Sequence, residues 1–132
     1  MNILKLKLSI LFFLISGIYF AQDKIWIDTD WKATTKEKAT YYKLAMPQNG
    51  ELRYFFKNAT VAKKETYENG ILDGDYSEYY ESGNLKETGK YEEGKREGIW
   101  KTYYENGKIK IRGKYREGEK VGVWKTYYKN DY

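Results

Sequence analysis

A chain of 132 residues with no cysteine and no histidine has room for one domain behind any leader, and it excludes disulfides, thiol nucleophiles, Ser-His triads and ordinary zinc sites. Its 24 basic and 19 acidic residues leave a net charge of +5 with the two signs interspersed, which predicts a solvated mixed-charge surface and argues against nucleic acid and against a polybasic membrane segment. An aromatic content of 18%, dominated by 15 tyrosines, suits half-exposed sheet surfaces better than a thick aliphatic core.

Residues 1–21 have the layout of a signal peptide: Lys5 and Lys7, the apolar run Leu8 to Phe20, then Ala21. The run is shorter than the roughly 20 apolar residues of a spanning helix, so cleavage after Ala21 is expected. Tyr19 stands where a small residue is preferred, and an uncleaved anchor is the alternative. Either way the chain is exported, to the periplasm or outside the cell. Without cysteine, no lipid-modified N-terminal Cys can form.

Residues 22–42 do not repeat. They hold Trp26 and Trp31, and then Thr34 and Glu37 at capping-box spacing, which predicts a short helix from about Thr35 to Ala45, ended by Pro47 and Gly50. Asp28-Thr29-Asp30 lacks the further oxygen ligands of a cation site and reads as a solvated turn.

From residue 43 onward the chain has a period of 24. Tyr67, Tyr91 and Tyr115 match, as do Gly74, Gly98 and Gly122, Tyr76, Trp100 and Trp124, and Tyr80, Tyr104 and Tyr128. The copies are 43–66 (divergent), 67–90, 91–114 and 115–132 (truncated, with Asn130-Asp131 where a turn would be). The clearest copy, Gly98 to Lys114, reads as a β-hairpin around Asn106-Gly107, the strongest signal for a two-residue type I′ turn. That turn sets Tyr104 against Ile109, Thr102 against Ile111 and Trp100 against Gly113, where an aromatic ring can cover the bare backbone. A second turn at Glu93-Gly94 and Glu117-Gly118 joins hairpin to hairpin and puts Ile111 between Thr102 and Trp124. The expected fold is all-β: one antiparallel meander of hairpin repeats in a single sheet, preceded by the short helix. Glu78 falls opposite Glu87 on the aromatic face. That pair is the one carboxylate couple a glycosidase reading could use, and a flat sheet offers it no cleft.

The pattern Y-x-x-G-x-x-x-G-x-W-x-x-Y-Y-x-N-G-x-x-x-x-x-G at Tyr91 to Gly113 resembles the variant MORN repeat of bacterial proteins, some of them antitoxin-like. The likeness covers 67–132 closely and 43–66 loosely, and the stretch WIDTDWKATTKEKATYYK is similar to the leader preceding such repeats in envelope proteins. The resemblance implies a sheet of stacked hairpins used for partner contact, with no reaction, cofactor or metal. A non-enzymatic protein-binding or scaffold module of the cell envelope is therefore the expected function, and glycan or cell-wall binding through aromatic rows is the alternative. Candidate contact residues are Tyr79, Tyr103 and Tyr127, among the lysines of the more polar face, with Trp124 and Tyr128. The last two lie on the outgoing strand Val123 to Asn130, whose open edge is a candidate for self-association or for pairing with a partner's strand.

Overall fold

The computed structural model describes residues 23–44 and 48–129. The signal segment expected at 1–21 and the turn expected at Asn130-Asp131 lie outside the described residues. Among the described residues nine strands form one open antiparallel sheet in strict chain order: β1 (Ile25–Ile27), β2 (Tyr41–Lys43), β3 (Gly50–Phe56), β4 (Val61–Glu68), β5 (Ile71–Tyr79), β6 (Leu85–Glu92), β7 (Lys95–Tyr103), β8 (Ile109–Arg116) and β9 (Glu119–Thr126). The all-β single-sheet meander expected from the period is what the chain adopts. No helix among the described residues is long and apolar enough to cross a membrane.

The helix expected over Thr35 to Ala45 is not there in the described part of that span. Residues 36–38 form a turn, with Lys38 N–H donating to Thr35 C=O at 3.2 Å, and Tyr41–Lys43 is strand β2. Consecutive aromatics after Thr40 favour a strand, and Tyr42 gains cross-strand rings on both sides: Trp26 at 5.8 Å and Phe55 at 5.3 Å. Glu37 does not close a capping box. Its carboxyl is held below the usual range by its own backbone N–H and by Thr35. Asp28 is a turn residue as read, its Oδ1 accepting the N–H groups of Asp30 and Lys32 at 2.9 and 3.0 Å.

Two kinds of connection alternate: the Glu-Gly turns keep the two-residue pairing expected of them, and the Asn-Gly connection departs from it. The true two-residue turns with both residues at positive φ are Asn69-Gly70, Glu93-Gly94 and Glu117-Gly118. At Asn106-Gly107 the loop has three residues: Gly107 N–H donates to Tyr104 C=O, Tyr104 N–H donates to Lys108 C=O, both at 2.9 Å, and Gly107 alone has positive φ. Asn106 stays right-handed and its Oδ1 accepts the Lys108 N–H at 3.0 Å. Tyr103, rather than Tyr104, therefore pairs with Ile109. Lys110 then bulges, which restores Thr102 against Ile111 and Trp100 against Gly113. The expected pairs hold because the two irregularities cancel.

A second bulge, where β9 sets three residues against Gly113 of β8, shifts the next register by two. Ile111 lies between Thr102 and Thr126, not Trp124. The same shift decides which ring covers which glycine. Trp100 lies across Gly89 and Trp124 across Gly113, so close that a Cβ on either glycine would fall inside the indole. Trp100, although the register partner of Gly113, covers the strand on its other side.

With no second layer among the described residues, one face of the sheet closes on its own side chains. Trp100 is 2% exposed, framed by Tyr76 at 5.3 Å, Tyr91 at 5.3 Å and Tyr115 at 5.9 Å. At the N-terminal end Ile27, Leu52 and Tyr54 form the buried cluster, with Trp31, Tyr41 and Tyr67 packed on it, and Trp31 stacks on Tyr41 at 4.3 Å. A sheet needs one such covered face to be stable, and here intercalated rings replace the usual helix or second sheet.

Candidate functional site

The two faces treat charge differently. On the packed face every described ion pair is short and partly or wholly buried: Lys63–Glu65 at 2.8 Å, Arg96–Glu87 at 2.8 Å and Lys86–Glu78 at 3.2 Å. Lys63 is buried between rings, its Nζ 3.8 Å from the Trp31 centroid and 4.2 Å from that of Tyr54. Arg96 lies 3.9 Å above Trp100, and Lys120 lies 4.5 Å above Trp124. Glu78 and Glu87 are register partners as expected, but each has its own cation, and Tyr76 Oη donates to Glu78 at 3.2 Å. Both carboxylates are consumed by the packing. Burial, reinforced by Glu78 and Glu87, raises the Tyr76 phenol well above its ordinary range; burial and Glu65 do the same for Tyr54. Among the described residues no group of three or more acids could hold a metal ion.

The described residues leave the opposite face open. Ile99 is 45% and Val123 80% exposed there, beside the Lys101–Arg112–Lys125 neighbours of β7, β8 and β9. Tyr79 and Tyr103 stand at the ends of β5 and β7 on this face, half-buried, and Tyr127 follows β9, more exposed. Those three candidates thus share a face as the alternation requires. Trp124 belongs to the other face, edge-on to Tyr115 at 5.0 Å. Tyr128 is exposed beyond the end of β9. β9 pairs with β8 on one side, and among the described residues no strand pairs with its other side.

Sequence reading missed the ties that lock one repeat to the next. Tyr80 Oη donates to Tyr103 C=O at 2.7 Å, and Tyr104 Oη donates to Tyr127 C=O at 2.8 Å. At the opposite edge, the N–H groups of Asn69, Glu93 and Glu117 donate to the side-chain oxygens of Asn49, Asp73 and Glu97 at 2.8, 3.3 and 2.8 Å. The signal was present: Asn49, Asp73 and Glu97 are acceptors at the repeat spacing, and they extend the period into the divergent copy.

A single-layer sheet whose 24-residue hairpins contact only their neighbours and are tied at both edges defines a repeat protein of the extended kind. Residues 72–93 and 96–117 match the model of the MORN repeat variant, so these two stretches are MORN-type repeats. No curated protein matches it.

Proposed function

We propose that this chain is a non-enzymatic, exported module of the cell envelope that makes protein contacts through the open face of its sheet. The observation that carries the reading is the asymmetry of the faces. One closes its ion pairs and rings upon themselves, while the other leaves Ile99, Val123 and Tyr127 uncovered. Clustered exposed apolar side chains mark interaction surfaces, and repeat arrays supply long ones. Export is supported by Lys5, Lys7, the run Leu8 to Phe20 and Ala21. The non-enzymatic reading is supported by the lack of His and Cys and by the neutralised Glu78–Glu87 pair.

A photoreactive phenylalanine analogue placed at Tyr103, and separately at Val123, tests the reading in cells of the source organism. Protein adducts in the envelope fraction are expected at both positions. Recovery of the chain in the cytoplasm alone refutes the location, and the lack of any protein adduct refutes the contact. A glycan-binding reading draws on the exposed rings of Tyr127 and Tyr128. Quenching of Trp124 fluorescence by cell-wall fragments would favour it.

A further inference from the structure

The open face carries a row of side chains that the packing does not explain. Register partners place Lys64, Ser77, Thr88, Lys101, Arg112 and Lys125 side by side from β4 to β9. At the spacing of neighbouring strands this row is about 24 Å long. Every member is a cation or a hydroxyl, and none is a carboxylate. Along β7 to β9 three cations are direct cross-strand neighbours, an arrangement that costs a free sheet stability. The packed face never does this, because each of its paired cations has a carboxylate within 2.8–3.2 Å. No ion pair among the described residues reaches Lys101, Arg112 or Lys125. The row has apolar flanks two residues away on the same strands: Tyr103 and Tyr127 on one side, and on the other Ile99 and Val123, 45% and 80% exposed.

We propose that this row docks an acidic protein segment, a run of Asp and Glu with apolar side chains beside it. The inference rests on the protein-contact reading above and names the chemistry of the partner. Carboxylates supply the counter-charge that the three cations deny one another. Aliphatic side chains of the same segment cover Ile99 and Val123, which a sugar polymer, a nucleic acid or a headgroup layer would leave wet. The unrelieved repulsion in the free sheet then represents stability given up for binding.

Poly-L-glutamate titrated into the full chain at low salt tests the proposal, with heparin, phosphatidylglycerol vesicles and an oligothymidylate as parallel arms. Poly-L-glutamate should bind, raise the melting temperature, and bind about tenfold more weakly to the triple variant Lys101→Gln, Arg112→Gln, Lys125→Gln, the combined effect of three exposed pairs. Arg112→Gln alone should weaken binding while melting at the same or a higher temperature, whereas a residue serving the fold would melt lower. Failure of poly-L-glutamate to bind, binding insensitive to the triple substitution, or tighter charge-dependent binding of any other arm overturns the proposal. So does an Arg112→Gln variant that melts lower and binds normally. The Tyr103 crosslink separates this from the underlying reading. An adduct that survives the triple substitution leaves protein contact standing and removes the row from it, whereas an adduct that never forms removes both.

Discussion

Replacing Gly89 with Ala adds one methyl group and sets two effects of opposite sign against each other. Gly89 does not have positive φ, so Ala at that site would ordinarily stabilise by about 0.4–1 kcal/mol through the unfolded chain. Here the new Cβ falls inside the Trp100 indole, the most deeply buried large side chain described. Overpacking that the sheet absorbs costs about 1–3 kcal/mol. Lifting the ring off the strand forfeits burial of about 200 Å², roughly 5 kcal/mol. The cheaper route, less that gain, leaves an expected net loss of about 0.5–2.5 kcal/mol, measured by urea unfolding with the slope checked for two-state behaviour. Repeating the change in a Trp100→Ala background removes the obstacle, so there Gly89→Ala should become neutral or stabilising. Gly113→Ala should cost less than Gly89→Ala, because Trp124 is only half-buried. Equal losses with and without the Trp100 ring would refute the account of how this sheet covers itself.

Lys63→Met should cost about 3–5 kcal/mol, since it strands the buried carboxylate of Glu65, while Lys63→Met with Glu65→Leu should recover most of that in urea unfolding. A single variant that unfolds like the parent would mean that the pair is solvated. Ala59 has φ of 69° at the loop position occupied by Gly83 and Gly107 in the next two copies, so Ala59→Gly should raise stability by about 1–2 kcal/mol. A lower thermal midpoint would refute the loop equivalence. Tyr54 and Tyr76 have raised folded pKa values, so their contribution is complete below the unfolded value near 10 and is lost as pH climbs from there toward the folded values. Stability should fall above about pH 10 by roughly 2–3 kcal/mol per pH unit for the two together. Denaturant midpoints that stay flat from pH 9 to 11.5 would contradict their burial.

Period and alternation made most of the sheet legible in advance: the strand order, the faces, Trp100 against Gly113 and Glu78 against Glu87 follow from the 24-residue repeat. What escaped was local. Asn-Gly at 106–107 is a strong type I′ signal, but the carboxamide of Asn106 found a closer partner in the Lys108 N–H and held its residue right-handed. The same ambiguity misled at Thr35 to Ala45, where capping spacing suggested a helix and the rings of Trp26 and Phe55 drew Tyr42 into a strand. Of the candidate site, Tyr79, Tyr103 and Tyr127 share a face as alternation required. Trp124 could not be placed without the bulge opposite Gly113, since that bulge decides which glycine a ring covers.

The edge ties make 24 residues the smallest unit by which this chain can change length without penalty. Tyr80 reaches the carbonyl of Tyr103, Tyr104 that of Tyr127, and Asp73 and Glu97 reach the turns that follow theirs, always one repeat onward. Loss or duplication of a whole copy, such as 91–114, joins matching half-ties and carries every face over intact. A single-residue insertion in a strand inverts the faces from that point and breaks both ties at once. Descent by unequal exchange of whole units is therefore tolerated and drift by small insertions is not, so relatives should differ in copy number far more readily than in the length of a copy.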